Sequence, residues 1–292
     1  LRSRLIHEIR RFFRDWDYLE IETPIRTPTQ APEVHIDAQE SGKWLLQTSP
    51  ELCMKRLIAA GYPRIFQICK CFRKGERGNR NLPEFTMLEW YHQGQTLFDL
   101  MKQCEDLIRW ISRGLGKGDT LPYQGKTIYL ETPWPRQTVS QIFFRYGSIS
   151  LKDALALNRF DEIMGIHIEP ELGWETPIFL YNYPASLGSL ARINPENPDS
   201  ALRFELYAGG LELCNAFTEL TDPKEQKIRF EKEMKSRSGM GKSAYSMPHK
   251  FLEALEFMPE TAGCAMGVDR LVMLFADTST IDPVVAFPPE TL

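Results

Sequence analysis

The 292-residue sequence contains few cysteines and no uninterrupted apolar run of membrane-spanning length. Six cysteines without a CxxC pair exclude a disulfide scaffold and give no sign of structural zinc, so we expect buried thiols, as at Cys69 and Cys71, in a reducing cytoplasm. The longest stretch without a formal charge, residues 176–191, is interrupted by two prolines, which excludes a spanning helix. The sequence therefore predicts a cytoplasmic protein without membrane contact.

Positive charge is also in short supply. The chain has 35 lysines and arginines against 39 acidic residues, for a net charge of −4, and so lacks the overall field typical of a nucleic-acid binder. Neither GxxxxGK[ST] nor GxGxxG occurs, which excludes the two common glycine-rich phosphate sites. The five histidines show no metal-ligand spacing and no serine or cysteine partner, so we do not expect a catalytic histidine. A bound nucleotide would have to be held by other side chains.

Hydrophobic periodicity predicts helices spread unevenly among strands that look antiparallel. Helices are expected at residues 1–16, 52–60 (capped by Ser49), 97–111 and 223–236, and strands at 18–24, 43–46, 64–72, 85–91, 123–129 (a hairpin), 179–183 and 204–217, with a strand-to-helix passage at 263–275. This order favours an α+β fold, an antiparallel β-sheet flanked by helices, over a doubly wound sheet. The length allows one large domain or two, and residues 114–175 show the least informative pattern.

The hairpin at residues 64–91 is the first segment with chemically interesting side chains. Arg73 stands at a strand end, where its guanidinium can form two parallel bonds to a phosphate, and Phe85 offers a flat face to a purine. The alternative interpretation is a solvated hairpin tip.

The second segment embeds Glu212 and Glu219 among apolar residues. Buried carboxylates need a cation, so a divalent metal or a ligand ammonium is the expected partner, and a salt bridge to a protein lysine or arginine is the alternative. Residues seven apart share a strand face only if a bulge or bend intervenes.

The third segment, residues 262–270, runs from small residues to Arg270 at the start of an apolar helix. Small residues let a ligand approach the backbone, and a helix start favours anions. A tight turn would explain the glycines but not the arginine.

Together with the first helix and residues 18–24, these segments resemble the three signature motifs of class II aminoacyl-tRNA synthetases. The resemblance is closest to the lysyl branch, through residues 48–51, 83–91, 212–222 and 267–270, and it covers nearly the whole chain. It implies a single class II synthetase catalytic domain over residues 1–292, with residues 114–175 as a small variable subregion within it. Motif 1 forms a two-fold interface in that class, so a homodimer is implied as well.

The chain begins almost at the motif 1 helix, so we expect no anticodon-binding domain and no anticodon recognition. With the triplet Glu-Trp-Tyr at 89–91 and the ending at 284–288, this arrangement resembles the elongation factor P lysine ligase family. The resemblance implies ATP-dependent activation of (R)-β-lysine, or lysine, as an aminoacyl-adenylate. It further implies transfer to a lysine ε-amino group of elongation factor P, which is the expected protein partner.

The same resemblance implies roles for individual residues. Arg73 and Arg270 would be catalytic, and Glu212 and Glu219 would position Mg²⁺. ATP would be bound by Arg73, Glu76, Phe85, Glu212, Leu213, Gly267 and Arg270, with adenine between Phe85 and Arg270, and the amino acid by Ser49, Pro50, Glu51, Glu89, Tyr91, Asn215, Glu219 and Ala265.

Ala265 stands where lysine-charging enzymes usually have glycine. Since one methyl typically contributes about 1–3 kcal/mol of discrimination, we expect Ala265 to favour (R)-β-lysine over L-lysine. Two other functions remain open: a lysyl-tRNA synthetase core that charges tRNA, and a non-catalytic, synthetase-like regulator.

Overall fold

The computed structural model describes residues 1–292. Its α-helices are α1 (Arg2–Asp15), α2 (Glu51–Ala59), α3 (Leu97–Gly114), α4 (Val139–Tyr146), α5 (Leu151–Ala156), α6 (Phe160–Ile163), α7 (Pro223–Gly239), α8 (His249–Leu255) and α9 (Val268–Ala276). Its strands are β1 (Leu19–Glu20), β2 (Arg26–Thr27), β3 (Glu40–Ser41), β4 (Trp44–Leu46), β5 (Arg64–Phe72), β6 (Glu84–Gln93), β7 (Thr120–Tyr123), β8 (Lys126–Tyr129), β9 (Arg136–Thr138), β10 (Ile178–Pro184), β11 (Ser200–Ala208), β12 (Leu211–Thr218) and β13 (Thr261–Gly267). None of the helices is both long enough and apolar enough to cross a bilayer.

Eight strands form the main sheet in the order β1-β5-β6-β13-β12-β11-β10-β9. The central pairings are antiparallel, as predicted, but β1 runs parallel to β5 and β9 parallel to β10. The sheet is therefore mixed, with parallel pairs only at its edges. The α+β class is confirmed. In each parallel pair a long stretch of chain, residues 21–63 and residues 139–177, separates the edge strand from its partner, as a parallel connection requires.

The two faces of this sheet differ in polarity because side chains alternate along each strand. One face presents Leu88, Trp90, Cys264 and Ala216, among others, to a large apolar cluster that includes α1, α3 and α9. Neighbouring residues on the same strands, such as Glu89 and Asn215, point to the opposite face. That face holds polar side chains and opens into a cavity.

Residues 114–175 contain the β7–β8 hairpin, β9 and three short helices, α4 to α6. A second apolar cluster packs these helices against β10 and β11. Because β9 joins the main sheet, this region continues the central fold. The arrangement supports the expectation of one domain over residues 1–292, and that expectation remains a proposal.

Candidate active site

A cavity of about 300 Å³ lies on the polar face of the main sheet, over β6, β13 and β12. Its size falls at the lower end of the range of small-molecule sites. All the residues implied by the resemblance line it except Pro50. The lining residues that were predicted are Ser49, Glu51, Arg73, Glu76, Phe85, Glu89, Tyr91, Glu212, Leu213, Asn215, Glu219, Ala265, Gly267 and Arg270.

The strand register sets the floor of the cavity. Glu89 of β6 pairs with Ala265 of β13, which pairs in turn with Asn215 of β12. In the next row Tyr91 pairs with Gly263. A Cβ at position 263 would collide with the Tyr91 ring and with Glu219 Oε1, so only glycine lets these two side chains approach. The small residue that was expected to admit a ligand therefore admits protein side chains instead.

Three carboxylates gather at one end of the cavity. Glu89 is 1% exposed and accepts hydrogen bonds from Ser49 Oγ at 2.6 Å and from Tyr91 Oη at 2.9 Å. Glu219 and Glu51 share a single cation, Lys55 of α2, which lies 2.5 Å from Glu219 Oε2 and contacts Glu51 Oε1. This end of the cavity therefore has more negative than positive charge available to a ligand.

Burial shifts the acidity of these groups. It raises the pKa of Glu89 to about 8, with a further increase from the charge of Glu51. Burial also raises the pKa of Glu219 to about 8, although the charge of Lys55 opposes the increase. Desolvation disfavours the charged form of a carboxyl group, so a cationic ligand that restores a partner would favour its ionisation.

The N-terminus of α2 differs from the prediction that Ser49 caps this helix. Pro50, not Ser49, is the N-cap residue of this helix. The Ser49 hydroxyl accepts a hydrogen bond from the Glu51 amide at 3.0 Å and donates its own proton to Glu89. The prediction of Ser49 as N-cap was wrong by one position, because the helical hydrogen bonds begin at the main-chain oxygen of Pro50, which accepts from the amide of Met54 at 3.0 Å. Pro50 fixes the turn between Ser49 and Glu51.

Arg73 lies at the opposite end, where β5 leads into the loop of the hairpin. Its guanidinium carbon lies 5.1 Å from the centroid of the Phe85 ring, so one face of that ring is covered by protein. Arg73 Nε is buried and has no hydrogen-bond partner, and Nη1 lies 3.9 Å from Glu76 Oε2, beyond hydrogen-bond distance. An unused, buried cationic donor is suited to a phosphate oxygen.

Arg270 lies on the first turn of α9 and connects motifs that are distant in sequence. Its Nη1 donates to the main-chain oxygen of Glu212 at 3.0 Å and to Glu212 Oε2 at 2.9 Å, and its Nη2 donates to Asn81 Oδ1 at 3.1 Å. The preceding Asp269 accepts a hydrogen bond from the amide of Thr86 on β6 at 2.6 Å. These bonds hold the start of α9 against the strands that carry the other site residues.

Glu212 and Glu219 reach the same face of β12 through a bulge. The pairing with β11 shifts between Leu206 and Tyr207, so that Leu213 is the extra residue on β12. The bulge that the sequence required is confirmed. The carboxylates have protein cations as partners, Arg270 for Glu212 and Lys55 for Glu219, which corresponds to the alternative left open by the sequence.

Each of these two carboxylates has an oxygen that a hard divalent cation could use, but the two side chains lie at opposite ends of the cavity, Glu219 beside Lys55 and Glu212 beside Arg270. Glu219 Oε1 is buried without a hydrogen-bond partner, and the Glu212 side chain is about one-third exposed to the cavity (32%). Carboxylate oxygens are the preferred ligands of Mg²⁺. About six extended residues, roughly 20 Å of strand, separate Glu212 from Glu219, so the pair does not fit the single shared Mg²⁺ site that the resemblance implies. Glu212, beside Arg270 at the arginine end, is the one of the two that is placed for an ion on the phosphates.

Several residues that line or shape the cavity were not predicted from the sequence. Lys55 belongs to the predicted second helix, and its place among the buried positions of α2 was the signal that could have identified it. Arg203 of β11 donates from Nε to Asn215 Oδ1 at 3.1 Å and from Nη2 to Glu205 at 2.5 Å. A charged pair two residues apart inside an apolar strand could have identified both. Glu33, in the coil between β2 and β3, gave no signal.

Two comparisons with known proteins bear on this site. The family model described as class II tRNA synthetases (D, K and N) matches residues 1–291. A curated relative from Proteus mirabilis (strain HI4320), named "Elongation factor P--(R)-beta-lysine ligase", is 37% identical over 306 aligned positions, which cover 98% of this chain and 93% of the relative.

Proposed function

The chain belongs to the class II tRNA synthetases of the D, K and N group, and on that premise we propose that it is an ATP-dependent ligase for a lysine-like amino acid. The proposed reaction activates (R)-β-lysine as an aminoacyl-adenylate and transfers it to a lysine ε-amino group of elongation factor P. The name of the Proteus mirabilis relative supports this acceptor and this amino acid.

The observation that carries the proposal is the separation of charge within one cavity. Glu51, Glu89 and Glu219 gather at one end, whereas Arg73 and Arg270 lie at the other. An amino acid with two ammonium groups would fit the acidic end and would direct its carboxylate toward the arginines. A triphosphate fits the arginine end for the same electrostatic reason.

In the first step, a carboxylate oxygen of the amino acid would attack the α-phosphorus of ATP, and pyrophosphate would leave. Negative charge builds up on the phosphate oxygens in the transition state, and fixed guanidinium donors stabilise it. Arg73, whose Nε has no protein partner, is proposed to bind the α-phosphate. The adenine is proposed to lie between the Phe85 ring and the Arg270 guanidinium, next to the backbone of Gly267.

Glu76, Glu212 and Leu213 complete the proposed nucleotide site. Glu76 would contact the adenine from the hairpin loop, and Leu213 would do so from the bulge of β12. Glu212 would hold Mg²⁺, which when bound supplies positive charge to the phosphate oxygens. Binding would redistribute the present pair of Glu212 with Arg270, whereas Glu219 would stay with Lys55.

In the second step, the acceptor amine would attack the carbonyl carbon of the adenylate, and AMP would leave. No side chain needs to form a covalent bond to the substrate. Asn215 and Tyr91 are proposed to hold the amino acid during this exchange, together with Ser49, Glu51 and Glu89; Pro50 would shape the turn that carries two of them.

The methyl group of Ala265 is proposed to select the position of the amino group. Ala265 lies directly between Glu89 and Asn215 across the strands, so a change of one methyl at this point alters the space between two proposed ligand contacts. We propose a preference for (R)-β-lysine over L-lysine on this basis.

We also propose that two copies of the chain associate through the motif 1 elements. Several apolar side chains on or next to α1, β1 and β2 are exposed, namely Trp16, Leu19 and Ile25. Light scattering on the purified protein, at several concentrations, would test this proposal through the molar mass. A monomer at micromolar concentration would contradict it.

The function is tested by supplying ATP, radiolabelled (R)-β-lysine and one acceptor at a time. We expect pyrophosphate exchange with (R)-β-lysine, and label on elongation factor P but not on tRNA. Label on tRNA alone would identify a tRNA-charging enzyme. Absence of exchange with any amino acid in a panel would favour a non-catalytic regulator.

A further inference from the structure

Glu33 is a carboxylate on the cavity wall to which no role has been assigned. It lies in the coil between β2 and β3 and is half-buried. Its side chain lines the same cavity as Glu89 and Arg73, and it forms no hydrogen bond or ion pair with another side chain. A carboxylate placed in this way is available to a ligand.

The backbone around Glu33 is held in place by α7. The fully buried guanidinium of Arg237 donates from Nη1 to the main-chain oxygens of Glu33 at 2.8 Å and Ile36 at 2.9 Å. The amide of Val34 donates to Glu233 Oε2 at 3.0 Å. With its own backbone fastened on both sides, Glu33 presents its side chain at a fixed position.

Two carboxylates that line the cavity, Glu89 and Glu33, have no ion pair with a protein cation. Glu51 and Glu219 share Lys55, whereas Glu89 has only the neutral donors Ser49 and Tyr91. Glu33 has no partner at all. A diamino acid brings two ammonium groups, which matches the number of carboxylates that remain.

The two free carboxylates lie at different depths. Glu89 is part of the sheet floor and is 1% exposed. Burial, followed by the charge of Glu51, raises the pKa of Glu33 to about 7. The coil that carries Glu33 is attached to the arginine end of the cavity, because the amide of Lys74, which follows Arg73, donates to the main-chain oxygen of Asp37 at 2.7 Å. Glu33 therefore lies on the side of the cavity toward Arg73, where the phosphate and the reacting carboxyl group are proposed to meet.

We propose that Glu33 binds the amino group nearer to the reacting carboxyl of the amino acid, while Glu89 binds the distal ammonium. This inference rests on the proposed function, because it assumes that the substrate carboxylate faces Arg73. Glu33 is then a determinant of specificity for amino acids that carry a second amino group near the carboxyl.

The test compares two ligands that differ in that amino group. The Glu33→Gln variant removes the charge and keeps the size of the side chain. We expect the KM for (R)-β-lysine in pyrophosphate exchange to rise by about 10–100-fold, the range for loss of a charge-assisted hydrogen bond. The inhibition constant of 6-aminohexanoate, which lacks the amino group near the carboxyl, should change by less than about twofold, since Glu33 would not contact it.

Two further variants complete the design. Glu231→Gln alters an exposed carboxylate on α7 and should leave both constants unchanged. Glu33→Asp keeps the charge but shortens the side chain, so its KM for (R)-β-lysine should lie between those of the wild type and Glu33→Gln. If Glu33→Gln fails to fold, Glu33→Asp replaces it in the comparison of the two ligands.

An equal loss of affinity for both ligands, or no loss for either, would overturn the role of Glu33 while leaving the proposed function intact. A wild-type protein that shows no exchange with any lysine isomer would instead overturn the proposed function, and the role of Glu33 with it.

Discussion

Lys55 Nζ and Glu219 Oε2 lie 2.5 Å apart, and both side chains are almost completely shielded from solvent. The same lysine contacts Glu51, so one buried cation serves two carboxylates of the proposed amino-acid site. A buried charge is tolerated only when its partner is present. The position of α2 beside Glu219, the residue that follows β12, thus depends on a contact that also sets the charge of the site.

Replacement of Lys55 by methionine is expected to lower the free energy of unfolding by about 3–5 kcal/mol, because it leaves buried carboxylates without their cation. The loss should be smaller at pH 6 than at pH 8.5, since protonation of Glu219 removes the unpaired charge. Urea unfolding at the two pH values would measure both effects.

Lys250→Met provides the matched control for this prediction. Lys250 pairs with Glu253 on the surface of α8, and both side chains are mostly exposed. Its loss should change stability by less than about 1 kcal/mol. Equal effects of the two substitutions would contradict the importance of the buried pair.

The raised pKa of Glu89 predicts how stability depends on pH. Glu89 has a pKa of about 8 in the folded protein against an ordinary value of 4.5, so the folded state retains a proton that the unfolded state loses between these values. The stabilising contribution is complete below about pH 4.5 and is lost as the pH rises toward 8. Glu89→Gln should therefore show a weaker decline of unfolding free energy between pH 5 and pH 8.

Denaturant unfolding at intervals of one pH unit would measure this slope. Glu84→Gln, which alters an exposed carboxylate on the same strand, should keep the slope of the wild type. Parallel curves for wild type and Glu89→Gln would refute the prediction.

Ala265→Gly is expected to shift the choice of amino acid toward L-lysine. Removal of the methyl between Glu89 and Asn215 should change the ratio of kcat/KM for (R)-β-lysine and L-lysine by about 10–200-fold, the usual range for a change of one such group. Pyrophosphate exchange with each amino acid gives this ratio. The KM for ATP serves as the internal control, and a uniform change for both amino acids would argue against a role in selection.

Arg73→Lys is expected to reduce kcat of pyrophosphate exchange by about 100–1,000-fold. Lysine keeps the positive charge but loses the planar pair of donors that suits phosphate oxygens. The exposed Arg159, which pairs with Glu162, provides a control, and Arg159→Lys should retain full activity. A loss of less than about threefold in Arg73→Lys would exclude Arg73 from the phosphate site.

Local sequence patterns predicted much of the fold. The long hairpin, the amphipathic helices and the strand-to-helix passage before Arg270 agree with β5, β6, α1, α3 and α9, because each pattern arises within one element. The bulge between Glu212 and Glu219 was also predictable, since side-chain alternation required it. The parallel direction of the two edge strands was not predictable, because it depends on pairing with strands that are distant in the sequence.

The sequence alone determined the class of the fold and the main chemical groups of the site: the arginines at two motif positions, the acidic residues among apolar neighbours and the small residue at Ala265. Only the tertiary structure decided how these groups pair. It joined Lys55 to Glu219, Arg203 to Asn215 and Ser49 to Glu89, and brought Glu33 to the cavity wall. Such pairs form between residues far apart in the chain, where packing and strand register, not local propensity, set the distance between charges.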